Sequence, residues 1–322
     1  MSRNIWQKLK QPIIALAPMA EVTDSAFRQV IAKASRRQQT GQPGLFFTEF
    51  VSADGLASIK GRRKLKAELS FSPKEKPIIV QLFGARPENF KIAASIVKQM
   101  GFAGVDINMG CPDRKVEKQG AGAALIKNPQ LARDIIEATK VGADPLPVSI
   151  KTRIGYQTED IGNWGKFLVA CNPTAITFHL RTRKELSKVP AHWELANKLK
   201  PLALGTQVLI LANGDIQSTK EAREKCRRYK LDGVMIGRGV YGRPWLFAGQ
   251  TKASVKRQLE TLIFHAKTFD RLYNRTKNFA IMRKHFKAYA SGFDGASLLR
   301  AKLMTAQNSS QVEKIIKDFL NS

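Results

Sequence analysis

Eight short apolar, β-branched runs alternate with amphipathic stretches along most of this 322-residue chain, and that rhythm limits the folds open to it. The runs are Ile13–Ala17, Leu45–Thr48, Ile78–Leu82, Gly104–Asn108, Val148–Lys151, Ala175–His179, Val208–Leu211 and Gly233–Ile236. Between them, Glu88–Met100, Pro129–Lys140 and Thr219–Tyr229 carry apolar residues at helical spacing. Eight strand–helix repeats over roughly 240 residues match a (β/α)8 TIM barrel of the α/β class. A doubly wound open sheet is the competing architecture, because strand count alone does not show closure. No G-x-G-x-x-G follows the first run, which weighs against a dinucleotide-binding sheet. Gln81, Asn108, Lys151, His179 and Asn213 each stand at a predicted strand end, where barrels build their sites.

After Gly242-Arg243-Pro244-Trp245 the strand signal stops. Four helices are expected, Val255–Tyr273, Asn278–Ala290, Ser297–Ala306 and Ser310–Leu320, the last opening on a Ser310-x-x-Glu313 capping-box pattern. The expected organisation is a barrel over 1–247 followed by a small all-helical domain over 255–322. That tail holds thirteen Lys and Arg against five Asp and Glu. The whole chain carries 54 Lys and Arg against 26 Asp and Glu, a net charge of +28. An imbalance of this size attracts polyanions, so nucleic acid is the expected partner. A hydrophobic content of 43% supports a real core and excludes global disorder.

Three scattered cysteines, Cys111, Cys171 and Cys226, are too few for a disulfide framework or a zinc cluster, so no metal is expected. No apolar run approaches the ~20 residues of a membrane span, and no signal core follows the basic start. The expectation is a soluble, monomeric, cytoplasmic protein. Asn213-Gly214-Asp215-Ile216 follows the seventh run, and Ile236-Gly237-Arg238-Gly239 the eighth. Paired glycine-bearing loops at these two places point to a phosphorylated ligand. Cys111 sits between Gly110 and Pro112 just after the fourth run, on a loop that cannot be helical. A thiol of ordinary pKa, ~8.5, is protonated at neutral pH and can act as an acid. Arg114 and Lys115 would favour the thiolate, and Gly120-Ala121-Gly122-Ala123-Ala124 reads as a flexible loop. Cys171 and Cys226 read as buried apolar residues.

The segments A-P-M-A, I-N-M-G-C-P, G-A-G-A-A-L, K-T-R-I-G, N-G-D-I, I-G-R and G-R-P-W stand in this order along nearly the whole chain. In these it resembles the tRNA-dihydrouridine synthases, and Arg283-Lys284-His285 is similar to the R-K-H element of their bacterial B-type branch. The resemblance implies an FMN-bearing barrel and a helical domain, with NADPH (or NADH) reducing the flavin and tRNA uridines as substrate. It implies that Pro18, Met19, Ala20, Gln81, Lys151, His179, Asn213, Gly214, Asp215, Gly237 and Arg238 bind FMN. Cys111 becomes the proton donor to C5 of the uracil. Asn108 and Arg153 line the base pocket, and Arg283, Lys284 and His285 touch RNA. Two departures stand out: His179-Leu180-Arg181-Thr182-Arg183 has Leu where H-G-R-T-R is usual, and Arg36–Gly44 is extended and basic. Other structured RNA is a further candidate partner, and the alternative readings are a flavin-dependent reductase of a free pyrimidine or a non-catalytic RNA-binding or RNA-folding protein.

Overall fold

A computed structural model describes residues 4–35, 43–274 and 276–321. Eight strands form one parallel sheet: β1 Ile13–Leu16, β2 Phe46–Ser52, β3 Ile78–Phe83, β4 Val105–Met109, β5 Val148–Arg153, β6 Ala175–His179, β7 Leu209–Asn213 and β8 Gly233–Ile236. Their order is β1-β8-β7-β6-β5-β4-β3-β2. The ends of that order meet: Ala15 bridges Leu45, Gly44 N–H donates to Ile14 O at 2.8 Å, and Leu16 N–H donates to Leu45 O at 3.1 Å. The sheet therefore curls into a TIM barrel rather than an open doubly wound sheet.

Strand alternation sorts side chains between two cores. Val105, Ile107, Val148 and Ile150 pack outward against the surrounding helices. Ala15, Leu45, Phe47, Ile79, Leu211 and Met235 fill the lumen nearer the strand starts. Trp6, on the short helix Ile5–Lys8, closes that end with its ring centroid 6.3 Å from that of Phe47. Each of the Leu, Ile, Phe and Met side chains among them contributes roughly 1.5–3 kcal/mol on burial. The same alternation brings polar Gln81, Asp106, Asn108, Ser149 and Lys151 to the opposite end of the lumen.

Beyond Trp245 the chain is helical. The helices Val255–Tyr273, Arg283–Tyr289, Ala296–Leu303 and Ser309–Leu320 share a second core built on Leu259, Phe269, Met282, Phe286, Leu303 and Val312. That core includes Ala26 of the barrel helix Ser25–Ser35. Polar bonds reinforce the junction: Tyr273 Oη accepts the Ser25 N–H at 3.0 Å, and Ser25 Oγ donates to Glu75 at 3.0 Å. Glu75 also pairs with Arg28 at 2.5 Å, both side chains being fully buried. Arg28 spends its other donors on the carbonyls of Thr23 (2.6 Å) and Ser70 (2.9 Å), so the charges of this buried pair are compensated.

Most expected element ends move by a few residues, and three of the differences have a local physical cause. β2 continues to Ser52 through a register shift between Phe47 and Phe50, a bulge that the polar Thr48-Glu49 pair masks in the sequence. The expected helix at Asn278 begins as a 3-10 turn, Phe279–Met282, before the α-helix Arg283–Tyr289. The last helix is capped by Asn308, whose Oδ1 accepts the Gln311 N–H, and not by a Ser310–Glu313 box. Glu313 instead pairs with Lys267 and Lys317.

Candidate active site

One cleft of about 260 Å³ opens at the strand C-termini, and it is lined by every predicted cofactor residue from Pro18 to Arg238. Cys111, Asn108 and Arg153 line it too. The strand ends hold the cysteine turn tightly. Asn108 Oδ1 accepts the N–H groups of Gly110 (3.1 Å) and Cys111 (2.9 Å), while Ala123 N–H donates to Cys111 O at 2.9 Å. Asp113 caps the following short helix, Arg114–Glu117, by accepting from Lys115 and Val116. Burial pushes the Cys111 thiol up, and the Asp113 carboxylate adds to that; the Asp113 N–H and the charges of Arg153 and Lys151 oppose it without reversing it. The thiol is therefore the resting form at neutral pH. Arg114 and Lys115, expected to favour thiolate, are exposed and do not set its titration.

The Lys151 ammonium has no hydrogen-bond or ion-pair partner among the described residues. Burial lowers its ammonium to about 8, the Arg153 charge acting the same way, with Asp106 and Cys111 opposing. A half-buried cation with no acceptor is suited to meeting an electron-rich ligand. Arg153 is committed differently. Its Nε donates to Gly110 O (2.7 Å), and its Nη1 to the carbonyls of Thr182 and Leu186 (3.0 Å each). It therefore ties the cysteine turn to the loop after β6, and only its Nη2 donors are left to meet a ligand.

On the far wall, Arg181 Nη1 lies 3.0 Å from His179 Nε2. A guanidinium only donates, so Nε2 accepts and the neutral ring carries its proton on Nδ1. Burial, with Lys151, Arg153, Arg181 and Arg238 nearby, holds His179 well below the usual histidine range. Arg181 also binds Asp215, which pairs with Arg238 at 2.7 Å and accepts the Ala191 N–H at 2.9 Å. Burial alone would raise the Asp215 carboxyl, but these donors win and lower it. Asn213 Nδ2 donates to Met235 O at 2.9 Å, pinning the β7 loop to β8. Among the described residues, the N–H groups of Gly237, Arg238 and Gly239 meet no intramolecular acceptor. A Cβ on Gly239 would stand 2.3 Å from Ile216 O, so only glycine lets these two loops close up. Free N–H donors beside an arginine form an anion cradle.

Some expected site residues lie elsewhere. His285 is 1% exposed, packed between Phe27, His265 and Tyr241 at the junction with the helical region, so it offers no atom to RNA. Its helix turns His285, Phe286 and Tyr289 inward in line with Met282 of the preceding turn, a 3.6-residue stripe that the basic neighbours obscure. Arg283 has a buried Nε and lies away from the cleft. Lys284 reaches the barrel, 3.2 Å from Glu21 beside Ala20. The Gly120–Ala124 stretch is no flexible loop: Gly122–Lys127 is a 3-10 helix behind Cys111, held by the Ala123 N–H. Leu180 is fully buried in the core with its backbone bonded to Asn213 and His192, so the departure from glycine is absorbed by packing. Arg36–Gln42 lies outside the described residues. Sequence reasoning passed over Arg181, Phe50 and Ser187, which also line the cleft.

Residues 15–322 match the family model described as "Dihydrouridine synthase (Dus)". A Staphylococcus aureus (strain COL) protein named "Probable tRNA-dihydrouridine synthase" is 38% identical over 324 residues, covering 99% of this chain and 96% of that one. A Bacillus subtilis (strain 168) protein named "Probable tRNA-dihydrouridine synthase 2" is 36% identical over 326 residues, covering 99% and 97%. Among solved structures, the old yellow enzyme from Trypanosoma cruzi superposes with a TM-score of 0.50 at 13% identity, over 82% of this chain and 94% of that one. The 6-hydroxypseudooxynicotine amine oxidase from Pseudomonas geniculata N1 reaches 0.54 at 14% identity, over 74% and 46%. These two likenesses speak for the barrel alone. With sequence similarity running end to end through the barrel, the cleft and the helical region, the chain belongs to the dihydrouridine synthase family of oxidoreductases.

Proposed function

We propose that this protein is an FMN-dependent tRNA-dihydrouridine synthase that reduces the C5–C6 double bond of uridine with NADPH. The carrying observation is that a protonated thiol and an unpaired lysine share one cleft with a ready anion cradle. The cradle of Gly237, Arg238 and Gly239 suits the cofactor's phosphate, with Asn213 and Asp215 fixing its loops. Lys151, Gln81 and the Pro18-Met19-Ala20 wall suit its ring. FMN held there would supply the hydride that C6 of the base receives.

The chain's own residues do the rest. Hydride at C6 leaves negative charge over C5 and the C4 carbonyl, and the Cys111 thiol delivers a proton to C5, becoming a thiolate that water reprotonates. Lys151 and the Nη2 group of Arg153 stabilise that charge while it lasts. Because the cleft sits inside the barrel mouth, the uridine is turned out of its stack to enter. Basic side chains of the helical region and the barrel rim, Lys284 among them, hold the RNA backbone.

Visible absorption tests this reading. The purified protein, after FMN addition and desalting, retains an oxidised-flavin spectrum that bleaches with NADPH and returns anaerobically on adding unmodified tRNA. A colourless protein that refuses FMN sinks the enzyme reading. Equal reoxidation by free uridine would move it to a reductase of free pyrimidines.

A further inference from the structure

Asp106 is fully buried inside the barrel on β4, beneath Asn108, and does not line the cleft. Both of its oxygens are engaged: Oδ2 accepts Gln81 Nε2 at 2.6 Å, and Oδ1 accepts Ser149 Oγ at 2.6 Å. An ionised carboxylate can only accept. Gln81 must therefore turn its NH2 toward Asp106, which leaves its Oε1 to accept Asn108 Nδ2 at 2.9 Å. Asn108 in turn is left with Oδ1 facing the Gly110 and Cys111 N–H groups. The two orientations of an amide have nearly the same shape, so partners alone choose between them. Inverting Asn108 would set its NH2 against the two N–H groups of the cysteine turn and break both bonds, and inverting Gln81 would set its NH2 against that of Asn108 and so favour that inversion.

We infer that Asp106 is a positioning residue for this reaction: its negative charge fixes the direction of the Gln81–Asn108 relay and thereby holds the Cys111 turn. This rests on Cys111 delivering the proton, but the fixed direction of the relay can be measured without that. Lys151, two residues beyond Ser149 on the adjacent strand β5, is the charged group that acts on Asp106; Gln81 of β3 and Ser149 of β5 are its bonded neighbours. Burial pushes the Asp106 carboxyl up to about 6, against those two bonds and Lys151, so its charge is present at neutral pH and is lost in mild acid.

The test compares Asp106→Asn, Ser149→Ala and the paired change Asp106→Asn with Gln81→Glu, each in the full chain. Asparagine at 106 lets Gln81 invert. Ser149→Ala removes the other bond to Asp106 and leaves the relay's direction alone. The paired change restores the order of donors and acceptors, with the carboxylate now at 81. The readout is hydrogen exchange at the Gly110 and Cys111 amides, with reoxidation of the reduced protein by tRNA beside it. Asp106→Asn is expected to speed exchange at both amides about tenfold or more, and to slow reoxidation while leaving reduction by NADPH within about threefold. Ser149→Ala keeps the amides protected, and the paired change recovers protection even where Gln81→Glu weakens flavin binding. Unchanged amides in Asp106→Asn overturn the inference, as does equal loss in Ser149→Ala or no recovery in the pair. Amides that respond as described in a protein inert toward tRNA would instead count against the proposed reaction.

Discussion

Lys151 and Cys111 bias each other's titration: the ammonium favours a thiolate and a thiolate favours the ammonium, while burial disfavours both charges. Burial prevails at the thiol, which stays an acid, and only weakens the lysine. Replacing Cys111 with Ala should preserve flavin and tRNA binding while lowering dihydrouridine formation about 10²–10⁴-fold; full activity in that variant would remove the cysteine from the mechanism. The lysine sets a separate limit. Its lowered titration, about 8, means the cation is complete near neutrality and disappears as pH rises through that value. Reoxidation by tRNA should therefore fall on the alkaline side with an apparent midpoint near 8, and Lys151→Met should be slow throughout and lack that limb. A wild-type rate level to pH 10 would contradict the assignment.

At the scale of elements, the 3-10 helix Gly122–Lys127 is the part of the site most sensitive to one added atom. Gly122 has φ +62°, and a Cβ there would stand 2.7 Å from Cys111 O and 2.9 Å from a Val116 methyl. Gly122→Ala should destabilise the fold by roughly 1–3 kcal/mol, visible as a lower thermal midpoint, and should slow catalysis beyond what stability explains. All eight strands were legible because an apolar run at each barrel position announces itself locally. The cleft was largely legible too, since barrels put sites at strand ends. What escaped depends on contacts between distant segments. The small residues around Gly122 read as a flexible loop, because nothing in them announces the bond from Ala123 to Cys111. Arg181 was overlooked beside His179, and its partner Asp215 lies 34 positions further on. His285 is the exception, for its inward stripe was there to read and its charged neighbours outweighed it.

For the molecule as a whole, charge and burial predict opposite sensitivities. With a net charge of +28, affinity for tRNA should drop steeply with salt. If about 6–10 phosphates are contacted, 10³–10⁵-fold is lost between 50 and 200 mM salt, and filter binding across that range measures it; a flat response would argue against backbone contacts. Acid acts instead at the junction of barrel and helical region. Burial holds His265 well below the usual histidine range, with His285 adding to it, and lowers His285 to about 3, so the folded form stays neutral where the unfolded chain takes up protons. Stability therefore falls as pH drops below the ordinary value of 6.5, by about 2 kcal/mol per histidine at pH 5. His285→Phe should remove part of that slope in denaturant titrations from pH 7 to 5. The closure of the barrel has a consequence for how the protein is made. β1 shares four residue pairs with β8 but a single bridge with Leu45, just ahead of β2. The first strand out of the ribosome thus waits for its main partner until more than two hundred further residues have been added, roughly 10–40 s at cellular elongation rates. Through that interval its hydrogen-bonding edge must be shielded by something other than its final neighbour.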